Sequence, residues 1–138
     1  MSSSPNDALK PGVNSCILDS SAVLALMNGE AGADAVMAAL PGACLSSVNF
    51  AEVVSRLCER GMPAAEARLS IEALELEIIP FEVDQATRAG GLRTETRALG
   101  LSLGDRACLA VARGLDLPVL TADRAWGQLS GFNITIIR

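Results

Sequence analysis

The chain has 138 residues, half of them hydrophobic, with 11 Lys and Arg against 16 Asp and Glu, four Cys and no His. That length fits one domain with a sizeable core, while a net charge of −5 excludes a general electrostatic binder of nucleic acid, which needs a basic footprint. The missing His removes the usual general base of serine and cysteine triads, and no apolar run is long enough to cross a bilayer.

Residues 1–14 carry no apolar stretch, so they read as a flexible tail rather than a secretory signal, with a single domain over 15–138. "SCIL" (15–18) is a short apolar strand. "SSAVLALMNG" follows as a helix capped by Ser20 or Ser21 and stopped at Gly29. "AGADAVMAAL" is a second helix ended by Pro41, and "ACLS" (43–46) a second strand. "SVNFAEVVSRLCERG" places Phe50, Val53, Val54 and Leu57 at helical spacing and closes at Gly61. Pro63 suits a first helical position before "AAEARLSIEALE". "LEIIPF" (76–81) is a third strand, and its Pro80 predicts an edge or a strand end.

"VDQATRAGGLRTETRALG" is helical with a soft point at Gly90-Gly91. "SLGDRACLAVARGL" is a helix with Leu101, Asp105, Cys108, Leu109 and Ala112 on one stripe. "LPVLT" (117–121) is a fourth strand, "ADRAWGQLSG" a short helix or turn, and "NITII" (133–137) a final strand. Strands alternating with helices predict an α/β fold: a central, mostly parallel sheet of about five strands with helices on both faces. The four Cys, at 16, 44, 58 and 108, form no C-x-x-C pair; each lies among apolar neighbours, which predicts buried, reduced thiols in a cytoplasmic protein.

Four acids share one address in this order. Asp19 ends the first strand, Glu52 lies in the first turn after the second, Asp105 opens the helix before the fourth, and Asp123 follows the fourth. Ligands of open α/β sheets bind at that edge. Each acid also has a local explanation. Asp19 and Asp123 are natural N-caps, and Asn49–Glu52 and Ser102–Asp105 both have capping-box spacing. Capping alone does not require charge, since Ser, Thr or Asn would serve. Four converging carboxylates repel unless their pKa values rise or a hard cation joins them. Oxygen donors without His suit Mg²⁺ or Mn²⁺, and the chemistry that follows is metal-assisted attack of water on a phosphodiester.

The segments "CILDSSAVLALMNGE", "SSVNFAEVVSRL" and "LRTETRALGLSLGDRACLAVARGLDLPVLTADRAW" resemble a PIN domain of the VapC toxin family, in the family's order and over nearly all of 15–138. The resemblance implies a three-layer PIN-like sandwich. It matches Asp19, Glu52 (in "NFAEV"), Asp105 (in "SLGDRACLA") and Asp123 (in "TAD") to the family's acidic set, with Ser20 as the polar residue after the first acid. It further implies a Mg²⁺- or Mn²⁺-dependent endoribonuclease acting on structured RNA such as tRNA or rRNA, a homodimer, and neutralisation by a VapB-type antitoxin.

On this reading Asp19 and Asp105 are the closest metal ligands, with Glu52 and Asp123 holding waters or a second ion. Ser20 and Thr121 orient carboxylates or waters. Arg93, Arg97 and Arg106, three of ten Arg beside a single Lys, are candidate phosphate contacts, against the plainer reading of a solvated helix face. With one Trp, three Phe and no Tyr, there is little equipment for stacking bases. A phospho-receiver domain is disfavoured because Asp19 stands alone and the only Lys is Lys10; a haloacid-dehalogenase-type phosphatase is disfavoured by Ser21 where it needs an acid. A PIN fold that grips RNA or an antitoxin without cutting remains the rival.

Overall fold

The computed structural model describes residues 14–138, so the predicted tail falls outside the described residues except for Asn14. Five strands form one sheet: β1 (Cys16–Leu18), β2 (Ala43–Ser46), β3 (Glu77–Ile79), β4 (Val119–Thr121) and β5 (Ile134–Ile136). Their order is β3-β2-β1-β4-β5, and every neighbouring pair is parallel. β1, β2 and β4 are buried throughout, as strands covered on both faces must be. β3 lies at the edge with Pro80 directly after it, as the sequence predicts.

Side-chain alternation divides the core in two. Cys16, Leu18, Ala43, Leu45 and Leu120 face one side. There they meet α1 (Ser20–Asn28), α2 (Ala33–Ala39), α3 (Ser47–Glu59) and α4 (Ala64–Glu72). Ile17, Cys44 and Val119 face the other side, against α5 (Val83–Glu95), α6 (Leu103–Leu115) and the fully buried Trp126 of the short 3-10 turn Arg124–Gln128. The result is a three-layer α/β sandwich.

Four local expectations change. α1 is capped by Asp19 rather than by Ser20 or Ser21, and it ends at Gly29, whose φ of 65° suits a residue without Cβ. Pro63 is the cap of α4, one residue before its first turn. α5 runs unbroken through Gly90 and Gly91, because Ala89 and Leu92 on either side are buried against α6; the break comes at Thr96, whose hydroxyl donates to the Leu92 carbonyl. Finally, Cys16, Cys44 and Cys108 are buried thiols, but Cys58 is exposed on the outer face of α3.

Candidate functional site

β2 and β3 lie on one side of β1, and β4 and β5 on the other. The chain thus switches direction between β1 and β4, and the crevice outside the carboxyl ends of strands at such a point is the ligand-binding position of open α/β sheets. Here it is a cleft of about 570 Å³, and Asp19, Glu52, Asp105 and Asp123 all line it, together with Ser20 and Ser21. The four predicted acids therefore line one cavity.

Asp19 is held most firmly. It is 5% exposed. One carboxylate oxygen accepts from the Ala22 N–H (2.9 Å) and the Ser21 hydroxyl (2.7 Å), the other from the Thr121 hydroxyl (2.5 Å). Thr121 in turn accepts from the Asp123 N–H at 3.0 Å, which links the ends of β1 and β4. Burial pushes the Asp19 carboxyl above the usual range; these hydrogen bonds oppose the rise, and the nearby Asp105 charge adds to it.

Glu52 sits in the second turn of α3 rather than the first, because β2 runs straight into the helix with Ser46 as its cap. One oxygen of Glu52 accepts from the Ser20 hydroxyl (2.5 Å) and the Asn49 amide (2.8 Å). The pair Asn49–Glu52 is thus a side-chain clamp and not a capping box. The buried Asn49 amide also donates to the Gly104 carbonyl (3.0 Å), tying α3 to α6. Gly104 matters for a second reason: a Cβ there would fall on the Glu52 carboxylate.

Asp105 does form the predicted capping box. Its carboxylate accepts from the Ser102 N–H at 3.0 Å and its N–H donates to the Ser102 hydroxyl at 3.1 Å. Asp123 is exposed and caps the 3-10 turn through the Ala125 N–H (3.0 Å). Each acid thus has a structural task and a face on the cleft. One turn beyond Asp105, the buried Cys108 thiol is pushed well up, first by burial and then by the charges of Asp19, Asp105 and Glu52.

Among the described residues no three His, Cys, Asp or Glu side chains converge tightly enough to enclose an ion. The donor set is nevertheless of the kind Mg²⁺ accepts, since that ion keeps several waters and uses only one or two carboxylates directly. Two features of the cleft fit such an ion. The carboxyl of Asp19 is disfavoured as an anion by burial and by Asp105, which an added cation would reverse. The absent side chain at Gly104 leaves the Glu52 carboxylate its place.

The predicted arginines do not join this cleft. Arg93 and Arg97 line a separate hollow of about 380 Å³ with Thr96, Gly100 and Leu101. Arg106 turns away: its guanidinium donates to the Ala89 carbonyl of α5 at 2.9 Å, inside the α5–α6 contact. As site residues, sequence reasoning missed Asn49 and also Ser21, Arg56 and Arg60, which line the acidic cleft. The signal for the arginines was present, since Arg56 follows Glu52 by four residues, one turn along its face, and Arg60 comes four later at the end of the helix.

The family model described as the PIN domain matches residues 16–131. Among solved structures, the chain is similar to a toxin–antitoxin complex from Klebsiella pneumoniae, with 22% identity and a TM-score of 0.72 over 90% of this chain and 98% of that one. It is similar to DNA-bound VapBC from Salmonella typhimurium at 18% identity and a TM-score of 0.70, over 91% of this chain and 99% of the other. VapBC-5 from Mycobacterium tuberculosis is 23% identical, with a TM-score of 0.56 over 90% and 98%. Comparison with curated proteins finds no match. The likeness to solved structures reaches the fold alone, but the family model spans every acid-bearing segment from β1 to the Asp123 turn: the chain belongs to the PIN domain family.

Proposed function

We propose that the chain is the toxin of a VapC-type toxin–antitoxin pair, a Mg²⁺- or Mn²⁺-dependent endoribonuclease that hydrolyses RNA phosphodiesters at Asp19, Glu52, Asp105 and Asp123. The observation that carries this reading is the meeting of four carboxylates, from four separate segments, in one cleft at the switch point of a parallel sheet. The family supports it, and so do the fold neighbours described as toxin–antitoxin or VapBC structures. Those neighbours also support a VapB-type antitoxin as partner, and the reading includes a homodimer working in the cytoplasm on tRNA or rRNA.

Asp19 and Asp105 would hold the cation, with Glu52 and Asp123 holding waters around it or a second ion. When bound, the cation supplies Lewis acidity to the phosphodiester and lowers the pKa of the attacking water. The chain supplies the rest. Thr121 and Ser21 fix both oxygens of Asp19, so the carboxylate cannot rotate away. Ser20 and Asn49 do the same for one oxygen of Glu52 and leave the other free. Such fixed supports are typical of groups that orient ligands. Without His, proton transfer falls to carboxylates and water.

The test is cleavage of purified total RNA by antitoxin-free protein in Mg²⁺ or Mn²⁺ against EDTA, with Asp105→Asn alongside. Discrete fragments that require both metal and Asp105 are expected. Cleavage that persists in EDTA or in the variant refutes the reading. Metal binding with no cleavage of any RNA favours a PIN fold that only binds.

A further inference from the structure

A net charge of −5 leaves open how the chain holds a polyanion. The acidic cleft has a second wall. Arg56 on α3 and Arg60, the residue that closes the helix, follow Glu52 at successive four-residue steps, and all three line the same cavity. At about 1.5 Å rise per residue, the guanidinium-bearing positions lie roughly 6 and 12 Å along the helix from Glu52. Both arginines are exposed, so neither is fixed in the core.

Their surroundings differ from those of the other cation in the cleft. Arg138 donates to the Glu30 carboxylate and the Ala31 carbonyl, at 3.0 and 3.2 Å, so it is already neutralised. Arg60 is close enough to Glu30 for its charge to help lower that carboxyl, as the least of several causes. Arg56 has no carboxylate within ion-pair distance among the described residues. A guanidinium one turn from Glu52 with no acid partner among the described residues, followed by a second, is a fork suited to phosphate oxygens.

The geometry points to a phosphate track along α3. Arg56 and Arg60 grip the RNA phosphates on one side of the scissile phosphodiester, and so align the strand along the helix with the bond to be cut over the four acids. This assignment rests on the nuclease reading above, and it extends that reading from the reacting phosphate to its neighbours. It also gives an acidic chain a local place for RNA: the favourable charge is confined to the wall carrying Arg56 and Arg60, which Glu59 shares, and lies apart from the four acids of the scissile position. An acidic protein segment is the other polyanion that two arginines suit. RNA is favoured because the arginines and the carboxylates share one continuous cavity.

The experiment compares three full-length proteins: the native chain, Arg56→Gln/Arg60→Gln, and Arg68→Gln/Arg88→Gln. The last removes the same charge from positions outside the cleft. The probe is a fluorescein-labelled single-stranded oligoribonucleotide of about 12 nucleotides. Anisotropy is read from about 50 to 200 mM salt, with Ca²⁺ replacing Mg²⁺ to hold hydrolysis off. Removing one arginine from a phosphate lowers the slope of log K against log salt by about 0.7 on a single strand, so the slope of the cleft variant falls by about 1.4. Its affinity falls about fivefold per arginine at low salt, evenly across probe sequences.

The control variant keeps the native slope. Equal slopes for the two double variants overturn the assignment, as does a native chain that fails to bind the probe. A second arm titrates a polyglutamate peptide: if the cleft variant loses that ligand and keeps RNA, the arginines serve an acidic protein segment and the phosphate track falls. Native cleavage with unchanged RNA binding in the cleft variant leaves the nuclease reading standing without this one. Native protein that neither binds nor cuts RNA removes both.

Discussion

Gly104→Ala separates the site from the fold that carries it. Gly104 is buried in the first turn of α6, and an added Cβ would land on the Glu52 carboxylate. The obstacle is the end of a flexible side chain, so the helix holds and Glu52 yields. Two effects oppose each other. Replacing Gly inside a helix stabilises by about 1 kcal/mol. Displacing the carboxylate removes its hydrogen bonds from Ser20 and Asn49, each worth about 1.5–3 kcal/mol for a charged acceptor. Water in the open cleft recovers part of that loss. The net expectation is destabilisation by about 2 kcal/mol, a fall in Tm of roughly 6–8 °C. Activity should fall much further, about 100-fold, since a shift of about 1 Å in a positioned group has that effect. Thermal unfolding and metal-dependent RNA cleavage, measured on the same preparation, check both numbers. Gly90→Ala and Gly91→Ala are the reference, as both glycines have open space around them in α5 and should stabilise by about 0.5–1 kcal/mol without altering cleavage. A Gly104→Ala protein that melts like the native chain and cleaves within about twofold of it would refute the reasoning, because Glu52 would then not need its place.

Asp19→Asn tests the buried charge. A carboxyl raised by burial favours folding while protonated, and that contribution is lost as pH rises through its elevated pKa. In EDTA the native chain should therefore lose stability relative to the variant as pH rises from the usual carboxyl value of 3.8 through the elevated pKa, and the variant should melt higher above it; a lower Tm for the variant there would contradict the burial argument. Added Mg²⁺ should raise the native Tm and leave the variant unmoved, since a ligand stabilises only the state that binds it. Thr121→Val keeps the shape and removes the hydroxyl between Asp19 and the Asp123 N–H, so Asp19 should titrate higher still, and the acid limb of the cleavage profile should move to higher pH; an unshifted limb counts against Asp19 as the titrating group. A thiol reagent at neutral pH should find one fast group, Cys58, with the other three appearing only on unfolding: Cys44 is pushed up to about 12 by burial, and Cys16 and Cys108 are raised for the same reason.

Asp19, Asp105 and Asp123 were legible in the sequence because their positions are fixed by element boundaries, and boundaries are announced by turn chemistry. Asp19 ends an apolar run, and Asp105 stands three residues after the capping Ser102. Their supports were less legible. Asn49 looks like a cap for Glu52 only while the helix start is unknown; once β2 passes directly into α3, Ser46 is the cap and Asn49 is free to clamp Glu52 and reach across to Gly104. That bond spans 55 residues of chain, and no local pattern encodes it. The setting of Arg106 was hidden for a similar reason. Arg106 neighbours Asp105 in sequence, but on a helix adjacent residues point about 100° apart, and its side chain follows the α5 face instead. Gly90-Gly91 suggested a soft point in the helix by propensity, and burial of Ala89 and Leu92 on either side keeps it regular there.

The double duty of the four acids follows from their charge. A carboxylate at a helix start is stabilised by unpaired N–H groups and by the helix dipole, at about 0.3–1 kcal/mol each. Asp19, Asp105 and Asp123 all occupy such places. Capping therefore lets the chain fold with acids gathered in one cleft, and the hydroxyls of Ser20, Ser21 and Thr121 add donors where helix ends do not reach. Capping does not cancel the repulsion, since burial and Asp105 still hold the Asp19 carboxyl above its usual range. That residue of unfavourable charge is what a divalent ion would relieve on binding, and capping by itself does not call for it, since uncharged Ser46 and Ser102 cap α3 and α6 at the same edge.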